Sequence, residues 1–228
     1  MQIIIESLIE GAKRAKGLTV IIDVYRAFTT AAYVMNNHAK RILPVGTLEE
    51  AFELKKKHPE WILIGEKDGV MVEGMDYGNS PYLIKDVDFT GKTVIMSTIA
   101  GTRGVATAVG ADEILTGSFV NVDATARYIK RKNPLNVTIV SMGYGGYKKT
   151  DEDELFAQFL KEKLEGKTPD FSMIKNKLTD YPAYFYTDKD RKEFPTGDHD
   201  CALDVDRFNF VLKVIKNKEG QLEIVKVN

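Results

Sequence analysis

The sequence has one cysteine, one tryptophan and three histidines among its 228 residues. The lone cysteine, Cys201, excludes an internal disulfide and any zinc site built from cysteines alone. His38, His58 and His199 lie far apart, without the spacing of metal-ligating histidines, and read as surface or packed side chains. Neither sign of charge is in excess. Lys+Arg number 32 against 33 Asp+Glu, for a net charge of −1, so nothing points to nucleic acid or to a solvating tail. No apolar run approaches the ~20 residues of a membrane span. Met1-Gln2-Ile3-Ile4-Ile5-Glu6 lacks the basic lead and long apolar core of a secretory signal. Repeats and low-complexity tracts are also missing. The expectation is a soluble cytoplasmic protein with no nucleic-acid or membrane partner; a homodimer is compatible with the sequence but not specified by it.

Against those absences stands a hydrophobic content of 43%, enough for a substantial core. Strands and helices alternate. Gln2 to Ile5 is a β-branched strand, and Glu6 to Lys16 fits a short helix or a loop equally well. Leu18 to Asp23 is a buried strand, Arg26 to Asn37 a helix, and Arg41 to Val45 a strand. Thr47 and Glu50 form a capping box for a helix ending near Lys57, followed by a strand from Trp61 to Ile64. Further strands are read at Thr93 to Ser97, Glu113 to Leu115 and Val137 to Met142. Helices follow Gly101, Asn121 and Thr150, the last running to Leu164. Residues from Lys167 to about Asp200, with Tyr181, Tyr184, Phe185 and Tyr186 close together, read as a covering segment whose aromatics pack. Phe208 to Ile215 and Leu222 to Val227 form a terminal hairpin. The alternation predicts a single α/β domain over 1–228, three-layered, with a mainly parallel sheet, helices on both faces and a C-terminal β-hairpin.

In such a sheet the segments after the strands share one edge, where ligands bind. The apolar run Val20-Ile21-Ile22 ends on Asp23, with Arg26 just beyond. Glu66 follows the strand at 61–64 and opens a long loop, 66–81, that carries Asp68, Asp76, Asn79 and Ser80. Loops of that length inside a domain are usually functional or disordered, and this one is too apolar for a linker. Thr98, Gly101, Thr102 and Arg103 follow another strand, and Glu152 and Asp153 a further one. Carboxylates, arginines and Gly-Thr amides on one rim suit a magnesium ion with a phosphorylated substrate. Magnesium takes hard oxygen ligands, while helix-start amides and guanidiniums hold phosphate oxygens. Taken singly, each group has a plainer reading: a buried Asp–Arg pair joining strand to helix, or a glycine turn before a helix.

Other motifs fail. Gly91-Lys92-Thr93 lacks the upstream glycine of a P-loop, since position 86 is Asp86, and it precedes a strand rather than a helix. Asp23-Val24-Tyr25 lacks the second Asp of an Asp-x-Asp phosphatase. Gly143-Tyr144-Gly145-Gly146 misses the spacing of a dinucleotide fingerprint. Cys201 is followed by Ala202-Leu203-Asp204, which is no phosphate cradle, so it reads as a buried small residue.

Several segments together resemble a known family. They are Asp23-Val24-Tyr25-Arg26-Ala27-Phe28-Thr29-Thr30, Gly65-Glu66, Gly74-Met75-Asp76-Tyr77-Gly78-Asn79-Ser80-Pro81, Gly101-Thr102-Arg103, Glu152-Asp153-Glu154-Leu155 and the late Asp198. In this order, spanning nearly the whole chain, they resemble the signature of the 2-phosphosulfolactate phosphatases. The resemblance implies a magnesium-dependent acid phosphatase with its own α/β fold. It would convert 2-phospho-3-sulfolactate to sulfolactate on a route to coenzyme M and accept related phosphorylated 2-hydroxy acids. Phe28 stands where the family often has a small hydroxylated residue, Ala100 where many members have Asn, and Cys201 one position from the family's late Cys. These departures bear on the substrate.

The expected roles follow. Asp23 and Glu66 hold Mg2+, with Asp76 or Asp153 assisting. Arg26, Arg103 and the amides near Gly101 and Thr102, with Thr98 beside them, stabilise the phosphoryl oxygens. Asn79 and Ser80 orient the small phosphate ester, and Asp198 transfers protons. Attack by water and a covalent aspartyl-phosphate on Asp23 both remain compatible with these residues. So do two rival functions: a phosphotransferase, which would pass phosphate to an acceptor other than water, and a regulatory module that binds phosphometabolites without turnover.

Overall fold

The computed structural model describes residues 1–179 and 192–228. The tyrosine cluster expected at 181–186 lies outside the described residues. The chain opens with β1 (Gln2–Ser7), then α1 (Leu8–Arg14), which decides the ambiguous stretch in favour of a helix. Next come β2 (Gly17–Ile22), α2 (Ala27–Asn36), β3 (Arg41–Val45) and α3 (Leu48–Lys57). The capping threonine works as expected: Thr47 Oγ1 accepts the Glu50 N–H at 3.2 Å. β4 (Ile62–Gly65) leads into the long loop. That loop is not structureless: it contains a two-residue strand, β5 (Tyr77–Gly78), and ends at α4 (Pro81–Ile84), capped by Ser80.

The second half of the chain gives β6 (Thr93–Ser97), α5 (Gly101–Thr107), β7 (Ala111–Gly117), α6 (Val122–Lys132) and β8 (Asn136–Ser141). Asn133, left-handed at φ 45°, closes α6. α7 (Asp151–Leu164) has acids in its first turn and Lys161 and Lys163 in its last, matching the helix dipole. The expected covering segment contains α8 (Phe171–Lys177) and α9 (Gly197–Ala202). β9 (Val211–Lys216) and β10 (Leu222–Val227) are the terminal hairpin.

Among the described residues the strands join one sheet of ten, ordered β1-β8-β2-β7-β9-β10-β3-β6-β4-β5. β1, β8, β2 and β7 are mutually parallel, as are β3, β6, β4 and β5. The hairpin sits between these blocks, and its three antiparallel pairings reverse the strand direction from one block to the other. This corrects the expectation of a single shared edge. The two C-terminal edges belong to oppositely directed blocks, yet they meet, because the residues after β2 and β6 are in contact.

Helix composition explains the meeting. α2 is buried from Ala27 through Met35, mostly apolar with Thr29 and Thr30 among the buried residues, as suits a helix enclosed between layers. It belongs to a central core with Ile21, Val94, Met96, Val105, Val140 and Leu212, drawn from both blocks. The outer face of the first block packs on α6 and α7 through Val20, Ile22, Ile129, Ile139, Phe156 and Leu160. The outer face of the second packs on α3 through Leu43, Leu63, Ile95, Ala51 and Leu54. No helix among the described residues is long and apolar enough to cross a membrane.

Candidate active site

Asp23 leaves the end of β2 where α2 and α5 both begin. Its Oδ1 accepts the Ala27 N–H at 2.9 Å, and the Gly101 amide also hydrogen-bonds to it. Gly101 must be glycine for steric reasons: a Cβ there would lie 2.8 Å from Asp23 Oδ2 and 2.8 Å from Ala27 Cβ. Glu66 leaves the end of β4 in the other block. Its Oε1 accepts the Ile99 N–H at 2.8 Å and its Oε2 the Gly69 N–H at 2.7 Å. Main-chain amides thus aim both carboxylates, and the two blocks deliver them to one cleft.

The cleft encloses a cavity of about 30 Å³ and opens to solvent, far smaller than the ~300–1,000 Å³ of ordinary ligand pockets. Asp23, Glu66, Arg26 and Asn79 give it polar walls, and Tyr25 and Tyr144 give it aromatic ones. The Asn79 side-chain oxygen is buried and has no hydrogen-bond partner among the described residues. Burial, with the neighbouring Asp153 charge and then Glu66 adding to it, pushes Asp23 up to about 8. Burial also raises Glu66, although the Gly69 and Ile99 amides and Arg26 pull it back. Asp153, in the first turn of α7, is raised well above the usual carboxylate range by burial and by Glu152. The site is rich in buried acids whose charged forms are disfavoured until a positive charge joins them.

Arg26 follows Tyr25 through a cis peptide bond and sits in the cleft wall, 4% exposed. Its donors face inward: Nη1 meets Asp198 Oδ2 at 3.0 Å and the Glu193 carbonyl, and Nη2 meets the Gly69 carbonyl at 2.7 Å. The Phe194 ring stacks on the guanidinium at 4.3 Å. Asp198 is fully buried behind the wall. It accepts from Ser80 Oγ at 2.5 Å and the Tyr82 N–H at 3.1 Å as well as from Arg26. Burial raises its carboxyl despite the guanidinium. That placement makes Asp198 the anchor of Arg26, not a group that reaches substrate, and Ser80 is occupied in the same network.

Other expected site residues also lie elsewhere. Asp76 is exposed and bound to Lys55 Nζ at 2.8 Å and the Leu63 N–H at 2.7 Å, at the start of β4 rather than its end. There it is paired beside Leu63, three residues before Glu66 in the chain, and it does not line the cleft. Asp153 spends its two oxygens on the Val24 and Gly143 amides, at 2.9 and 2.8 Å, joining the β2 and β8 rims. Thr98 and Thr102 bond to each other across the turn before α5, and their neighbours Ile99 and Ala100 face the cleft instead. Arg103 is exposed on the outer side of α5 and does not line the cleft.

The sequence alone gives no role to three further residues. Tyr25 lies inside the signature segment, where Asp23 and Arg26 carry the charge. Tyr144 sits in the glycine turn that misses the dinucleotide spacing, yet it follows β8 and lines the cleft. Glu152 precedes Asp153 in the first turn of α7. It is 2% exposed, its Oε2 has no hydrogen-bond partner among the described residues, and burial pushes it to about 7, with the Asp23 charge contributing.

Among the described residues no three His, Cys, Asp or Glu side chains form a ready-made metal cage. A magnesium site does not require one, since the ion usually binds one or two carboxylates and fills its shell with water and phosphate oxygens. Asp23, Glu66 and the orphaned Asn79 oxygen offer an all-oxygen donor set with excess negative charge, and they fit such an ion.

Residues 3–193 match the family model of 2-phosphosulpholactate phosphatase. A probable 2-phosphosulfolactate phosphatase of Caldanaerobacter subterraneus subsp. tengcongensis is 34% identical over 211 residues, covering 86% of this chain and 86% of its own length. Proteins of the same name from Caldicellulosiruptor saccharolyticus and Thermoplasma volcanium are 34% and 33% identical. They cover 86% and 71% of this chain, and 79% and 74% of their own lengths.

Proposed function

The chain belongs to the 2-phosphosulpholactate phosphatase family, and from that premise we propose that it hydrolyses a small phosphorylated 2-hydroxy acid, 2-phospho-3-sulfolactate or a relative, to release phosphate. The reaction class is phosphoric monoester hydrolysis. The observation that carries the proposal is the convergence of Asp23 and Glu66, from opposite sheet blocks, on one small cleft.

Magnesium is the proposed cofactor, held by Asp23, Glu66 and the Asn79 oxygen. When bound it would polarise the phosphoryl oxygens and acidify a water molecule. The chain's own residues do the rest. Arg26 contributes a fixed positive charge at the cleft wall, pre-organised by Asp198 and the carbonyls of Gly69 and Glu193, so it needs no reorganisation as charge shifts during the reaction. The Ala27 and Gly101 amides keep Asp23 aimed, and the Ile99 and Gly69 amides do the same for Glu66. The small cleft favours a compact ester over a nucleotide or polymer.

The test is phosphate release by EDTA-stripped protein, with and without added magnesium, over 2-phospho-3-sulfolactate, phospholactate, phosphoglycolate, sugar phosphates and nucleotides. Magnesium-dependent release from the 2-hydroxy-acid esters, with little from the others, is expected. No release from any ester with magnesium present overturns the proposal.

A further inference from the structure

We infer that Tyr25 sets the substrate range of the cleft and that His199 is the positioning residue that fixes its ring. This rests on the phosphatase reading of the site and adds a specificity element to it. The Tyr25 side chain is 7% exposed and forms part of the cleft wall between Asp23 and Arg26. Its phenol oxygen lies 2.9 Å from His199 Nδ1. The ring centroids are 5.9 Å apart and tilted by 41°, so the contact is a hydrogen bond rather than a stack.

His199 belongs to α9, and the residue before it, Asp198, holds Arg26. Consecutive residues of one short helix therefore hold consecutive residues of the cleft wall, and that helix lies beyond the residues matched by the family model. Tyr25 has two soft side-chain torsions, and a directional bond at the tip of the ring selects one setting of them. The acids Asp23 and Glu66 would draw the cation, and the cation with Arg26 would draw the phosphoryl group. The aromatic walls remain to meet the carbon end of the ester, and the ring bounds how long that end can be.

The experiment compares wild type with Tyr25→Phe, His199→Phe, His199→Asn and the Tyr25→Phe/His199→Phe double variant. It measures kcat and KM with magnesium, and Kd by calorimetry in EDTA, for 2-phosphoglycolate and the longer 2-phospho-3-sulfolactate. Loss of one hydrogen bond should shift the ratio of the two esters' kcat/KM by about two- to tenfold, mainly through KM for the longer ester. His199→Asn, which keeps a hydrogen-bonding side chain, should recover part of the shift, and the double variant should be no worse than either single one. Equal losses on both esters, a fall in kcat alone, or additive effects would assign the pair a merely structural role and overturn the inference. Wild type that turns over both esters while the variants keep its ratio sinks this inference alone. Wild type that neither binds nor hydrolyses either ester sinks the phosphatase reading along with it.

Discussion

Asp23 and Asp198 are both buried carboxylates, one in the cleft wall and one in the layer behind it, and the chain treats them differently. Asp198 receives a guanidinium, a hydroxyl and an amide. Asp23 receives main-chain amides, while Asp153 and Glu66 push against its charge. A carboxylate that holds structure is given its counter-charge from within the chain. One left short of positive charge, at the mouth of a cleft, is arranged for a charge supplied from outside. The site is thus two nested devices: an ion-pair scaffold that fixes Arg26, and a buried acid pair without an ion-pair partner of its own, lining the cleft.

The sharpest way to break this contrast is to remove the scaffold. Asp198→Asn leaves the Arg26 guanidinium buried without its partner and should destabilise the fold by about 3–5 kcal/mol, read by denaturant unfolding. A change below about 1 kcal/mol would mean that the pair is not structural. Asp23→Asn should act in the opposite sense. Turnover with magnesium should fall by about 10²–10³-fold, the scale for losing a pre-organised electrostatic contact, while thermal stability in EDTA holds or rises because the cost of burying an ionisable acid is gone. A variant that loses stability and activity together would erase the distinction between the two acids.

The pH dependence sharpens it further. Asp23, raised to about 8, binds a proton in the folded protein that it releases near its ordinary value in the unfolded chain. Between about pH 4 and pH 8 the folded state therefore holds more protons, and this contribution to stability is full at the acid end and lost as pH rises through 8. In EDTA, the melting temperature of wild type relative to Asp23→Asn should decline across that window. With magnesium, which needs the deprotonated acid, the stabilisation by the ion should instead grow with pH. The smallest effect belongs to Asp76→Ala. It removes a partly buried pair with Lys55 and the acceptor of the Leu63 N–H, and should cost about 1–3 kcal/mol, with turnover intact. A large loss of turnover there would return Asp76 to the metal site.

The sequence shows where the strands end, because Ile21-Ile22-Asp23 and Ile64-Gly65-Glu66 switch from apolar to charged at the rim. It does not show that the rims belong to opposed blocks. Strand direction across the sheet is decided by where β9 and β10 insert, and a terminal hairpin reads the same whether it lies at an edge or in the middle. Asp23 and Glu66 are legible because main-chain amides close to them in sequence, or at a strand end, aim them. Asp76 misleads because the Gly-Met-Asp-Tyr-Gly-Asn-Ser-Pro segment doubles back beside β4, which gives its Asp to Lys55 and its Asn to the cleft. Asp198 misleads because its partners Arg26 and Ser80 are brought to it only by the fold. Tyr25 and His199, 174 positions apart in the chain, could not be paired from spacing at all.

The most direct test is a calorimetric magnesium titration of EDTA-stripped wild type, Asp23→Asn and Glu66→Gln. A single site is expected in wild type, weakened about 10–100-fold by either substitution, although the two carboxylates come from opposite blocks of the sheet. Unchanged magnesium binding in both variants would contradict this.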